Sequence, residues 1–162
     1  MRNKKVLIVV QAALIAAIYV VLTYFISAFH LASGAIQIRI SEALTVLPYF
    51  TPAAIPGLAV GCFLSNLLTG GLPMDVLFGS LATLIGAVGS YLLKKYKWLV
   101  PLPPVLANTI IVPYVLAYVY GAEGSIPFFM VTVGIGELIS CYVLGMILLN
   151  ALLPYRNVLF KN

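Results

Sequence analysis

The chain has 162 residues, of which 63% are hydrophobic and only 8% charged, with a mean hydropathy of +1.13. A soluble domain carries about 25% charged residues. This composition therefore excludes one and predicts an all-α integral membrane protein in which residues 1–162 form a single membrane domain. The net charge of +5 belongs to loop lysines and arginines, which set topology by the positive-inside rule. It argues for no nucleic-acid partner, and the sequence has no GxxxxGK[ST] phosphate-binding loop of its own.

Met1–Lys5 (MRNKK) is a basic flank, followed by an apolar run from Val6 to about Phe29. About 20 residues suffice to span a bilayer, while a signal-peptide core has about 7–15, so a retained first helix is expected. Its QAALIAA segment spaces Ala12 from Ala16, and Ala13 from Ala17, by four residues. In lipid, such stripes of small residues let helix backbones approach closely. They suit packing within the chain or docking onto another subunit.

His30–Ile38 (HLASGAIQI) reads as a loop on the far side. Ile40–Phe50 is a short helical pattern, after which Pro48, Pro52 and Pro56 punctuate the chain, each disfavouring helix in the residue before it. Ala53–Thr69 is an apolar helix, and Gly70, Gly71 and Pro73 make a turn. The next helix runs from Met74 or Asp75 to Leu93, with Asp75 at the end where the helix dipole favours an anion. Asp75, Gly79, Thr83, Gly86 and Ser90 recur along it at helical spacing, a small and weakly polar face suited to a bundle interior. Lys94–Lys97 (KKYK) is a basic loop beside the interfacial Trp98. Pro101, Pro103 and Pro104 lead into a fifth span ending near Tyr120, Gly121–Ser125 turns the chain, and Pro127–Leu153 is the last span.

Parity decides the status of Ile40–Phe50. The N-terminus, KKYK and the C-terminus are all basic, so all three are expected in the cytoplasm. An even number of crossings must then separate Lys5 from Lys94, and the clear spans there are three: 6–29, 53–69 and 75–93. The short segment must cross, or nearly cross, as a fourth. At 1.5 Å per residue it is too short for a core of ~30 Å, so flanking irregular backbone must help, covered by protein or lining a cavity. The expectation is a six-helix bundle with both termini cytoplasmic, with eight of the nine Lys/Arg residues inside and Arg39 outside.

That topology gathers Gln37, Arg39, Glu42, Asn66, Asp75 and Glu123 toward the outer half, with Asn108 and Glu137 deeper on the last two spans. An ionisable group in the bilayer costs roughly 3 kcal/mol on insertion scales and marks a functional site. No nucleophile–base pair accompanies these groups, so no catalytic residue is assigned. Cys62 and Cys141 read as small buried packing residues, His30 has no histidine partner, and neither a metal site nor a cofactor is expected. Carboxylates accept paired N–H donors and asparagine amides offer one donor and one acceptor edge. The set therefore suits recognition of a small, flat, polar heterocycle. Each residue also has a structural reading. Glu42 can pair locally with Arg39, Glu137 can bond a bundle Ser or Thr, Asn66 and Asn108 can join helices, and Asp75 can serve its helix terminus. The rival function is a small proton-coupled multidrug-type exporter acting as a homodimer. Against it, the two halves show no internal repeat of the kind many transporter folds carry.

The strings IQIRISEALTVLPYFTPAAIPGLAVGCFLSNLLTGG, DVLFGSLATLIGA, PPVLANTIIVPYVLAYV and GELISCYVLG resemble the QueT family, from about Val6 to Leu153. The resemblance implies an S component, the substrate-binding subunit of an energy-coupling factor (ECF) transporter in the cell membrane. It implies a transmembrane coupling protein and two ATPase subunits as partners, and a 7-deazaguanine queuosine precursor as ligand. Glu42, Asn66, Asn108 and Glu137 match motif positions as substrate-binding residues, followed by Arg39 and Asp75. The alanine face of the first helix, Ala12, Ala13, Ala16 and Ala17, would dock on the coupling protein.

Overall fold

The computed structural model describes residues 4–28 and 38–160. His30, Gly34 and Gln37 of the expected outer loop, and the terminal Arg2 and Lys161, lie outside them. All regular structure among the described residues is helical. Helix α1 spans Lys4–Ala28, a 3-10 helix spans Ile40–Tyr49, α2 spans Ala54–Leu68, α3 Pro73–Leu92 and α4 Leu102–Tyr118. The last long helix is continuous but changes winding, as α5 (Ile126–Glu137), a π-helical stretch (Leu138–Leu144) and α6 (Gly145–Leu152). A short turn, Leu153–Tyr155, and α7 (Arg156–Leu159) follow.

Four helical stretches are long and apolar enough to cross a membrane: Lys4–Ser27, Pro73–Leu92, Lys97–Tyr118 and Ile126–Leu159. Helix α2 is apolar but shorter. The distribution of side chains is the reverse of a soluble protein's. Val9, Leu14, Val21, Leu67, Leu77, Val131 and Ile147 are exposed, while Glu42, Thr45, Asn66, Thr83, Asn108 and Glu137 are buried. Lipid tails accept the former, and of the latter Glu42, Thr45, Asn66, Asn108 and Glu137 find partners inside the bundle, while the Thr83 hydroxyl has none among the described residues.

Neighbouring helices pack in chain order, α1 on α2, α2 on α3, α3 on α4 and α4 on α5. The 3-10 helix touches α1, α2, α3, the π stretch and α6, and Ser41 to Pro48 are buried without a break. Its winding follows from the sequence in part. Pro48 has no N–H to give an α-helical ladder, and the Glu42 and Phe50 amides reach back three residues, to Arg39 and Leu47, at 2.9 Å each. The tighter winding also lengthens the segment. A 3-10 helix rises about 2.0 Å per residue, so ten residues cover about 20 Å instead of about 15 Å. Both ends are tied to α1, by Thr23 Oγ1 to Ser41 Oγ at 2.8 Å and by Thr51 Oγ1 to Gln11 Oε1 at 2.9 Å. The stretch of α1 from Gln11 to Thr23 covers about 18 Å at 1.5 Å per residue, so the two elements match in length and run antiparallel.

A 3-10 helix aligns side chains every third residue, which sorts this segment into stripes. Ala43 and Val46 meet α6 at Gly145, where a Cβ would stand 2.8 Å from Val46 Cγ1. Leu44 and Leu47 join the main apolar cluster with Ile15, Leu58 and Leu149. Glu42 and Thr45 form the polar stripe.

Candidate functional site

Glu42 is 1% exposed, and its carboxylate is held from two other helices. Tyr19 of α1 donates its phenol hydroxyl to Oε1, and the Asn108 amide of α4 lies 3.5 Å from Oε2. Asn108 also reaches the Glu137 carboxylate, so one amide stands between two acids. Glu137 lies at the end of α5, where the winding widens. One turn on, the Cys141 thiol sits 3.3 Å from Glu137 Oε2 and 3.6 Å from the Glu42 carbonyl oxygen. Thr45 donates to that same carbonyl at 2.6 Å and lies 3.5 Å from Cys141 Sγ. A π stretch inside an α-helix often marks a functional site; here it begins directly after Glu137 and carries Cys141 against the polar stripe.

The donor atoms of Glu42, Glu137 and Cys141 lie within 4.8 Å of one another. A cation could be shared at that spacing, but the thiol is already committed to the glutamate it would have to leave. What this cluster offers more directly is a set of acceptors on two carboxylates with one amide between them, enclosed by apolar helices. Few polar groups set in an apolar pocket give orientation and selectivity to a bound heterocycle.

A cleft of about 290 Å³ lies beside this cluster, lined by Thr23, Arg39, Ser41, Asn66, Asp75 and Tyr120 among others. Its volume is at the small end of the ~300–1,000 Å³ usual for ligand pockets. Asn66 lines the cleft while its amide lies 3.7 Å from Cys62 Sγ. Gly79 of α3 makes room for it, since a Cβ there would stand 2.9 Å from Asn66 Nδ2. The Arg39 guanidinium lies within electrostatic range of both Glu42 and Asp75. Asp75, in the first turn of α3, accepts the Tyr120 hydroxyl at 2.7 Å, and that oxygen accepts the Leu72 amide at 3.3 Å. Partial burial, then the bond to Asp75, push the Tyr120 phenol above its usual range, which keeps it a donor at neutral pH.

The six candidate residues thus fall into two tiers. Glu42, Asn108 and Glu137 meet in the buried cluster, while Arg39, Asn66 and Asp75 line the cleft, and Ile40 and Ser41, which also line it, join the tiers between Arg39 and Glu42. Sequence reasoning missed Tyr19, Thr45, Cys141 and Tyr120. Thr45 and Cys141 carried a usable signal, standing three residues after Glu42 and four after Glu137. Tyr19 had none beyond being one of ten tyrosines.

The alanines of α1 divide as well. Ala16 is buried and Ala12 half-buried against α2, where a Cβ at Gly57 would stand 2.8 Å from the Ala12 carbonyl oxygen and one at Gly61 3.1 Å from Ala16 Cα. Ala13 and Ala17 are exposed.

Apolar helices turned outward around an enclosed polar cluster define a helical membrane protein. Residues 9–154 match the QueT transporter family, and the chain belongs to it. It is 34% identical over 98 residues to the "Queuosine precursor transporter QueT" of Lactococcus lactis subsp. cremoris (strain MG1363), a match spanning 60% of this chain and 57% of that relative. No solved structure matches.

Proposed function

We propose that this chain is the substrate-binding subunit of an ECF-type importer in the cell membrane. Its ligand is a queuosine precursor of the 7-deazaguanine class, with an aminomethyl or nitrile substituent. Six segments cross the membrane: α1, the 3-10 helix, α2, α3, α4 and the α5–π–α6 helix. Both termini are cytoplasmic and the cleft opens outward.

The observation that carries this reading is the meeting of Glu42, Asn108 and Glu137 inside an apolar bundle of the QueT transporter family. A deazaguanine presents an N–H and an exocyclic amine side by side, which a carboxylate accepts together. Asn108 supplies a donor for the ring carbonyl, and the second carboxylate meets the remaining donors. Analogues lacking those donors are rejected because buried acceptors would be left unpaired. The base enters through the cleft past Arg39, Asn66 and Asp75.

Energy comes from a transmembrane coupling protein and two ATPase subunits. The coupling protein docks on the outward Ala13 and Ala17 of α1, Ala12 and Ala16 being taken up by α2. The decisive experiment is uptake of labelled 7-aminomethyl-7-deazaguanine into proteoliposomes. Uptake that requires the ATPase module and ATP supports the reading, and pH-gradient-driven flux by the chain alone would replace it with the proton-coupled exporter. Cysteines at Gly71 and Glu123 should react with an impermeant reagent from outside the cell; reaction from the cytosolic side only would invert the orientation.

A further inference from the structure

We propose that Tyr19 is a positioning residue of the ligand site: its hydroxyl holds the Glu42 carboxylate in the orientation that receives the ligand. The inference rests on the functional reading above for the identity of the ligand, and on the geometry of α1 and the 3-10 helix for everything else.

Tyr19 is 1% exposed and the largest fully buried side chain among the described residues. Its ring lies where α1 crosses α2, in a notch that only glycine leaves open: a Cβ at Gly61 would stand 2.8 Å from Tyr19 Cβ and 3.1 Å from Cγ. Phenylalanine would fill that notch equally well. The hydroxyl is a costly addition in such a place unless it is bonded, and it is bonded to Glu42 Oε1. The other hydrogen bonds around Glu42 cannot substitute for it. Thr45 and Cys141 address the main-chain carbonyl, and Asn108 meets Oε2 only at 3.5 Å, beyond the usual range for a strong N–H···O bond. The terminal torsion of a glutamate is a broad, two-fold rotor. Tyr19 is therefore the group that stops it, and it does so from the oxygen away from Asn108. One carboxylate oxygen is anchored, and the other, met only by the long Asn108 contact, is left to turn toward a ligand on the side where Asn108 and Glu137 stand. Holding a binding group by a neighbour is what lets it act without reordering when the ligand arrives.

The test is a double-mutant cycle on the full chain purified in detergent, comparing the unaltered protein, Tyr19→Phe, Glu42→Ala and the double variant, alanine being chosen because a glutamine oxygen would still accept the Tyr19 hydroxyl. Binding of 7-aminomethyl-7-deazaguanine is measured by calorimetry, and unfolding midpoints are measured without ligand. Tyr19→Phe should weaken binding on the order of tenfold, yet change affinity less than about twofold once Glu42 is alanine. Unchanged affinity in Tyr19→Phe overturns the proposal, as do losses that multiply in the double variant, because Tyr19 would then act independently of Glu42. In the ligand-free cycle, Tyr19→Phe should lower the midpoint less in the Glu42→Ala background, which has no acceptor for the hydroxyl, than in the unaltered one; equal shifts overturn the contact itself. No binding by the unaltered chain would overturn the functional reading and the ligand role of Tyr19 together, and the ligand-free cycle would still decide whether Tyr19 holds Glu42.

Discussion

Helix α1 and the 3-10 helix lie side by side over the same length, tied at both ends, yet they face opposite worlds. Only 17% of the most apolar window of α1 is buried, while Ser41 to Pro48 are buried without exception. The outer helix gives one narrow face, Ile15, Ala16, Tyr19 and Ile26, to the bundle and the rest to its surroundings. The inner one touches α1, α2, α3, the π stretch and α6, and from Ser41 to Pro48 it has no free face. In oil, hydrophobicity alone does not say which segment goes inside. Polar content and winding decide it: the segment with the carboxylate is enclosed, because only there can its hydrogen bonds be met.

The largest expected effects come from the inner element and the acid of α5 that faces it. Glu42→Gln or Glu137→Gln should cost ligand binding about 1–3 kcal/mol each, as buried groups lose their partners, read by titration calorimetry. If both together leave tight binding intact, the carboxylates are not in the site. Next comes packing: Gly145→Val would drive a branched side chain into Val46 and should lower stability by about 1–3 kcal/mol, visible as a reduced unfolding midpoint. An unchanged midpoint would mean that the 3-10 helix is not pinned against α6.

The outer element should behave differently according to face. Ala13→Trp and Ala17→Trp should leave folding and ligand binding intact but prevent co-purification with the coupling protein. Ala16→Trp should disturb the fold itself, by a similar ~1–3 kcal/mol, because α2 occupies that space. If all three variants behave alike, the division of the alanines between two faces is wrong. The smallest effect belongs to the cleft rim. Tyr120→Phe removes an exposed bond to Asp75 and should weaken binding by no more than about 1 kcal/mol.

Much of the architecture was readable before the structure. Continuous apolar runs located α1, α2, α3 and α4 to within a few residues, because in lipid an uninterrupted apolar stretch must satisfy its own backbone. The small face of α3 was readable from spacing, and Gly79, Thr83, Gly86 and Ser90 are all buried. Parity of charge pointed to an unusual role for Ile40–Phe50, but not to its winding. No residue pattern distinguishes a ten-residue 3-10 run from a short α-helix, since what favours it is the length it must cover beside α1. The π stretch after Glu137 was invisible for the same reason: it accommodates a neighbour, the Glu42–Thr45 stripe, that lies far away in sequence. Glu42, Asn108 and Glu137 stand out in the sequence because polarity is rare in such a chain, and the structure buries all three. Their separation from Arg39, Asn66 and Asp75 into two groups was not readable, since it depends on which side chains the packed helices bring together across the chain. Tyr19 shows the limit most clearly, as a tyrosine in an apolar helix acquires its purpose only from what it faces.

The central claim is that the acids carried by the 3-10 helix and the last long helix receive a flat base. Calorimetric titration of the purified chain with 7-aminomethyl-7-deazaguanine, beside an analogue lacking the exocyclic amine, tests it most directly. Saturable one-to-one binding of the first, with the analogue weaker by tenfold or more, is the predicted result. Equal affinity for the two, or binding of the first that is indifferent to Glu42→Gln, would contradict it.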